Sequence, residues 1–421
     1  MYGRSIGTTV ILSIAVATCM ALSRIYKTLT LRDFRLFCSS SFIHVIGDAA
    51  TFLAQGWLVL SLTGDSALWV GIASGIRGAG HVGFALAGGI LADRLNRRVI
   101  LAVVAMVKTV TFAMLALLIF NDKVQLWHVL VIVFVQGASD GLTAPSFNGL
   151  IYDTVGPARL MNAIAYVLAT FQISWTIGSV LTGHLINTVG ISSAYALASV
   201  FFLLSVIPLK LMGVANTTEA KKESVLVNLG QGIQYVVRHS SLRVLLVLSV
   251  LVESFGFSYL VMLPVVAKSV LGVGPTGLGY LTAAGGIGSL IGTVVVAGLS
   301  EFKNKWKLLT LGTASAGVSI LLFASSPWYE LSLILAAFIG FSLISYDAAL
   351  NTLLQTLSTD NMRGRVLGLY GMTWGFTPVG GFAVGAVANI AGAPFAVGIG
   401  GLIVLAYTLG VVARAKRRLV S

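Results

Sequence analysis

Four carboxylates stand inside long apolar stretches of this chain: Asp48, Asp140, Glu253 and Asp347. An ionisable group at bilayer depth costs roughly 2.5–3.5 kcal/mol on insertion scales, so it must face a cavity or a partner. A carboxyl in such a place is cheaper neutral in a closed site and cheaper charged in a wet one. It can therefore take a proton from one side of a membrane and release it to the other. The plainer role is packing, with each acid bonded to a nearby hydroxyl, amide or base. Ser139 adjoins Asp140, Thr51 follows Asp48 by a turn, and Asp347 falls toward the end of its run. The bases in apolar runs read as packing groups as well. Arg77 and His81 lie one turn apart, Lys108 snorkels or pairs, and His44 is a packing histidine.

The elements that position these acids are membrane helices. Of 421 residues, 57% are hydrophobic and only 10% charged, against about 25% charged in a soluble domain. The net charge of +13 would suggest nucleic acid in a soluble chain; here basic loops explain it and no nucleic-acid partner is expected. Cys19 and Cys38 give neither a disulfide framework nor a metal spacing, and no cofactor is expected. Twelve apolar runs follow, near 34–62, 67–92, 97–120, 125–151, 161–188, 192–214, 242–269, 276–299, 306–324, 330–356, 364–390 and 393–413. Most are long enough to cross a bilayer, and turn chemistry or charge separates them, as at Thr63-Gly64-Asp65 and Gly272-Val273-Gly274-Pro275. The four acids fall in the first, fourth, seventh and tenth runs.

Lys and Arg gather in alternate loops, at Arg94, Arg97, Arg98, then Lys221, Lys222, then Arg363, Arg365, while the other loops hold only Lys123 and Lys268. That bias puts both ends of the twelve-helix core in the cytoplasm of a cell whose inner membrane holds it. Residues 1–30 are read as a non-spanning or interfacial N-terminal extension, since Thr8 to Leu22 falls short of the about 20 residues a span needs; Arg4 ahead of that run also fits a signal peptide, and Met20 an alternative start. Residues 31–214 form a first six-helix half and 242–413 a second. Residues 215–241 form a cytoplasmic linker, and 414–421 a basic tail. In the linker, Val225, Leu226, Leu229, Ile233, Val236 and Val237 recur at helical spacing, which predicts an amphipathic helix on the membrane surface. Asn148-Gly149-Leu150-Ile151 aligns with Asn351-Thr352-Leu353-Leu354, and Gly178 with Gly381 at the same offset, so the halves read as parallel repeats. Ser300 to Lys305 is a degenerate copy of the basic turn at 88–98.

That basic turn carries the most specific signal. Gly88-Gly89-Ile90-Leu91-Ala92-Asp93-Arg94-Leu95-Asn96-Arg97-Arg98 resembles the signature loop of the major facilitator superfamily of secondary transporters, Gly-x-Leu-Ala-Asp-Arg-x-Gly-Arg-Arg. Gly89, Asp93, Arg94, Arg97 and Arg98 fall on the pattern; Asn96 replaces its second glycine, a mild change because Asn tolerates a left-handed backbone. Gly89 is expected to let another helix pack closely. Further stretches resemble the branch that holds macrolide-efflux and enterobactin-export proteins: Ile46-Gly47-Asp48, Gly232 to Arg238, Leu263-Pro264 and Met362-Arg363-Gly364-Arg365-Val366. Two features depart from drug exporters. Val133 stands where many carry a helix-four arginine, and the Gly-Pro-x-x-Gly-Gly motif of helix five is missing, though Thr377-Pro378-Val379-Gly380-Gly381 appears in helix eleven.

The resemblance implies an all-α integral membrane protein of twelve transmembrane helices in two parallel six-helix repeats. It implies a secondary transporter working by alternating access, with helices one, four, seven and ten lining the central cavity. The expected function is proton-coupled export of amphipathic small molecules of drug or siderophore type. An importer of a metabolite on the same fold, or a non-transporting membrane sensor, stands as the alternative. The absence of Gly-x-x-x-x-Gly-Lys-Ser/Thr removes nucleotide as the energy source, and no constellation of His, Cys or Ser with a matched base suggests an enzyme. Asp48, Asp140, Glu253 and Asp347 are the proton or substrate candidates, with Asp48 and Glu253 ranked first. Trp175 and Trp374 are candidate cavity aromatics; Trp57, Trp69, Trp127, Trp306 and Trp328 are interfacial anchors. The resemblance also places Asp93 against the start of helix eleven, where Arg363 and Arg365 add charge. Partners are a small molecule, protons and the bilayer, with a monomer as the working state.

Overall fold

The computed structural model describes residues 29–213, 225–298 and 304–420, with side chains left aside at 225–228 and 412–420. The extension up to residue 28, Lys221 and Lys222, the segment Ser300 to Lys303 and the side chains of the basic tail lie outside this description. Every described element is a helix. In chain order these are α1 (Arg32–Leu62), α2 (Ala67–Arg94), α3 (Arg97–Phe120), α4 (Leu126–Val155), α5 (Leu160–Thr188) and α6 (Ile191–Leu211). Then come α7 (Val225–Arg238), α8 (Ser240–Val270), α9 (Pro275–Gly298), α10 (Lys305–Ala324), α11 (Tyr329–Leu357), α12 (Asp360–Ala391) and α13 (Ala393–Val420). Among the described residues eleven helices are long and apolar enough to cross a membrane; α2, with Arg77, His81 and its glycines, is a long helix that composition leaves out.

Each predicted apolar run lies on one helix, because a bilayer leaves helices as the sole way to satisfy a spanning backbone of this kind. The breaks follow the turn residues. Gly64, Gly156, Gly190, Gly272 and Gly392 all take positive φ, and Asp65 and Asp122 join them. Asn96 caps α3 by accepting the Arg98 amide, which explains why it can stand where the pattern has glycine.

The packing has a repeating plan. In the first set α2 lies on α4, α3 on α6, and α1 on both α5 and α6. In the second set α9 lies on α11, α10 on α13, and α8 on both α12 and α13. The sets meet most extensively through two pairs, α5 with α9 and α2 with α12, and also where α8 touches α1 and α2. Small residues permit the closest of these approaches, since lipid supplies no hydrophobic drive to bring helices together. A methyl at Gly137 in α4 would overlap the Arg77 carbonyl of α2; one at Gly288 in α9 would overlap the Ala337 carbonyl of α11.

Two helices are interrupted. α8 contains π turns at Val252–Gly256 and Val266–Val270, and α12 breaks its regular helix at Trp374 and Gly375. The amphipathic helix α7 forms as the periodicity predicts. Its partner is protein rather than the membrane surface alone: Gly232 packs on Arg365 and Leu369, and the Tyr235 hydroxyl accepts the Thr359 amide at the start of α12.

Candidate functional site

The first set of helices builds a compact charge network. Lys108 of α3 is only 2% exposed, and its ammonium donates to Asp48 of α1 and Asp140 of α4, both at 2.9 Å. Arg77 of α2 holds Asp140 from the other side, with Nη2 at 2.8 Å and Nε at 3.3 Å. His44, one turn before Asp48, sits 3.6 Å from that carboxylate and 3.4 Å from both Lys108 and the Ser205 hydroxyl. Two acids thus meet two permanent cations. Val133, at the place of the absent helix-four arginine, is buried; here α2 and α3 supply the positive charge that α4 lacks. Asp48 and Asp140 therefore answer the packing description as well as the functional one, and the sequence could not separate them because Lys108 lies 60 and 32 positions from its partners.

The second set is arranged differently. Glu253 is 5% exposed and lies on the first π turn of α8, a distortion that recurs at functional sites. Its carboxylate accepts the Thr377 hydroxyl of α12 at 2.8 Å. Gly380 of α12 presses on the same turn, where a methyl would overlap the Ser254 carbonyl. Asp347 of α11 accepts the Tyr370 hydroxyl of α12. Among the described residues neither acid has an ion pair. Thr377 and Tyr370 were not singled out from sequence. The fragment Thr377-Pro378-Val379-Gly380-Gly381 was, and it supplies both the hydroxyl and the close-packing glycines.

The aromatic candidates part company. Trp175 stacks on Phe171 with centroids 5.7 Å apart and leans on Phe52 at 5.3 Å, a packed cluster. Trp374 sits at the α12 break and is 55% exposed.

The signature turn corrects one expectation. Gly88, not Gly89, makes the close approach: a methyl at Gly88 would lie 2.5 Å from the Gly141 carbonyl, whereas Gly89 has open space. One position along a helix turns a residue by about 100°, which is why a motif match alone picks the wrong glycine. Asp93 and Arg94 are exposed, and among the described residues no ion pair joins them to α12. Arg363 instead pairs with Asp360 at 2.8 Å and Arg365 reaches the Met362 sulfur at 3.3 Å. Arg97 grips Asp153 at the end of α4 with both oxygens within 2.9 Å, lying over Gly149, and Arg98 donates to the Met212 carbonyl after α6. These arginines fasten the first set of helices internally.

The contacts between the two sets run along half of each helix. From α2 to α12 they extend from Gly71 on Gly385, through Gly78 on Pro378, to Val82 on Gly375. From α5 to α9 they extend from Gly183 on Gly279 to Thr176 on Gly286. Among the glycine contacts of the described residues, both series reach mid-helix and none lies nearer the basic turns. The far ends add an ion pair between Asp65 and Lys268, with Lys268 also over the Trp57 ring, and Gly56 against Pro264.

This architecture and the signature turn have counterparts among known proteins. A family model described as transmembrane secretion effector matches residues 25–419. The chain belongs to that family of the major facilitator superfamily. Members of this superfamily are membrane transporters of small molecules rather than enzymes, and this chain is a multi-pass membrane transporter. It is 26% identical to the multidrug efflux pump Tap of Mycolicibacterium fortuitum over 358 residues, 82% of this chain and 87% of Tap. It is 26% identical to the enterobactin exporter EntS of Escherichia coli O1:K1 over 318 residues, 73% of each chain. Among solved structures the fold matches the nucleoside transporter NupG with TM-score 0.71 at 14% identity, covering 90% of this chain and 98% of that one. It matches a POT family transporter in complex with 5-aminolevulinic acid with TM-score 0.74 at 12% identity, covering 92% and 96%.

Proposed function

We propose that this chain is a proton-coupled exporter of amphipathic small molecules, working by alternating access from the cytoplasmic membrane. The observation that carries the coupling is Glu253, buried on a π turn with a hydroxyl partner and, among the described residues, no cation. A buried carboxylate without a compensating charge is costly, and the neutral form relieves that cost. Opening the site to water reverses the preference. Glu253 is thus the primary proton carrier, with Asp347 as its relay. Asp48 and Asp140, each held by Lys108, serve as the fixed frame of the first half.

Topology and packing support the twelve-helix, two-repeat description. α2 is 28 residues long, about 42 Å of helix against a hydrocarbon core of about 30 Å. It runs between two spans and must return the chain across the bilayer. Arg77 faces inward on Asp140 and Ser74 donates to the Pro378 carbonyl of α12. The basic bias puts both ends of the core in the cytoplasm, and a monomer contains every group named. The inter-half glycine contacts that reach no further than mid-helix then describe a form closed outside and open to the cytoplasm, ready to load a substrate for export. Trp374 stands available to an apolar substrate in that form. Tap and EntS, as exporters by name, support the outward direction; the missing helix-five motif keeps metabolite import as the second reading.

The test uses purified chain in proteoliposomes with an imposed pH gradient and a panel of amphipathic dyes. Substrate movement opposite to proton flow, lost in Glu253→Gln while counterflow exchange persists, is the expected result. Substrate moving with protons supports import; gradient-independent movement overturns the coupling.

A further inference from the structure

Away from the contacts between the two sets, α3 and α6 leave an apolar groove of about 680 Å³ on the outer surface of the helix bundle. Its floor on α3 is the stripe Val99, Val103, Met106 and Val110, each 41% exposed or more. From Arg98 to Val110 the stripe rises about 18 Å at 1.5 Å per residue, close to the roughly 15 Å depth of one leaflet's hydrocarbon. Both of its charged lining residues, Arg98 and Lys210, stand at one end, the end of the basic turns, and no acid lines it. Arg98 is pinned there by the Met212 carbonyl, which satisfies one of five guanidinium N–H donors and fixes where the others point. Lys210 is exposed. The nearest acid engaged at this end of α6 is Asp33, whose carboxylate accepts the Gly213 amide.

We propose that this groove is a binding site for an anionic phospholipid of the leaflet on the basic face. The lipid phosphate bridges Arg98 and Lys210, and one acyl chain lies along Val99 to Val110. The length, the apolar floor and the two cations at a single end match a lipid with one charged head. A second copy of the chain fits less well. A symmetric pair sharing this groove would bring two basic ends together with no acid between them. Basic residues at the membrane surface attract anionic headgroups independently of any specific contact, so the site is defined by its dependence on both the groove and the cations.

Native mass spectrometry of the delipidated chain tests it, with palmitoyl-oleoyl phosphatidylglycerol and phosphatidylcholine titrated in turn. The wild-type chain should retain one phosphatidylglycerol with about tenfold preference. Lys210→Gln, whose side chain makes no bond among the described residues, should cut that preference to about threefold. Val103→Trp, which fills the groove, should lower retention of both lipids while leaving the thermal transition in place. Equal retention of the two lipids by wild type, an undiminished preference in Lys210→Gln, unchanged retention in Val103→Trp, or a dimer closing over the groove without lipid would each overturn the proposal.

Discussion

The two sets of helices are packed on one plan yet treat their acids in opposite ways. In the first set Asp48 and Asp140 share Lys108, and Arg77 completes the balance. The helices carrying them, α1 and α4, run without a break. In the second set Glu253 and Asp347 have hydroxyl partners, and Glu253 sits on a π turn beside the broken helix α12. The difference teaches that an acid in a membrane helix has two physical fates. Neutralised by a fixed cation, it becomes architecture. Neutralised by a proton, it stays free to change, and the helix around it keeps the slack to respond.

The strongest way to break this contrast is to remove the shared cation. Lys108→Met leaves two carboxylates over one arginine in a buried site, a loss of about 3–5 kcal/mol by analogy with broken buried pairs. Unfolding in detergent should show it as a large drop in thermal midpoint, partly restored by adding Asp48→Asn. A Lys108→Met chain as stable as wild type would place the first-set acids beside Glu253 instead.

Glu253→Gln should do the reverse. Stability should stay within about 1 kcal/mol, as expected where an unsatisfied acid becomes an amide with its hydroxyl partner kept, while accumulation against a gradient falls at least tenfold. Asp48→Asn should cost stability and leave proton stoichiometry unaltered. If both variants lose coupling alike, the two halves work as equals and the contrast fails. Asp347→Asn sharpens the point: we expect coupling weakened several-fold and not abolished, read as substrate-induced proton movement in proteoliposomes.

Smaller effects lie at the two ends. Asp93 is exposed in this form, so Asp93→Asn should leave its stability unchanged and slow the turnover that brings the signature turn to α12. A carboxylate at a helix N-terminus contributes about 0.3–1 kcal/mol when exposed. Cysteine accessibility at the basic end of α12 should rise accordingly. Asp65→Asn removes a half-exposed ion pair with Lys268 and should cost under about 1 kcal/mol, visible as a slight shift toward opening of the far end.

The helices and their order were legible because length and hydropathy are properties of contiguous residues. So were the four acids, which stand out against apolar neighbours. Their partners were not. Arg77 and Asp140 are 63 positions apart, and Glu253 and Thr377 are 124; only folding joins them. Asp48 and Glu253 looked alike from sequence because both sit mid-helix, and the structure separates them by what each touches. The π turn had no signal in Val252-Glu253-Ser254-Phe255-Gly256, since an extra residue in a helix turn is imposed by neighbours such as Gly380. The docking of α7 on α12 was hidden by an amphipathic face that suits a membrane and a protein equally.

The glycine seam between α2 and α12 has a further consequence, for leakage. Gly71 and Gly385 approach so nearly that a methyl on Gly71 would lie 3.0 Å from the Gly385 Cα, and one on Gly385 2.7 Å from the Gly71 Cα. Backbone laid on backbone leaves no width for a water file, and without a water file protons have no wire. A membrane transporter tolerates slow turnover, but not a seam that weeps. The smallest side chains in this transporter thus keep that seam closed.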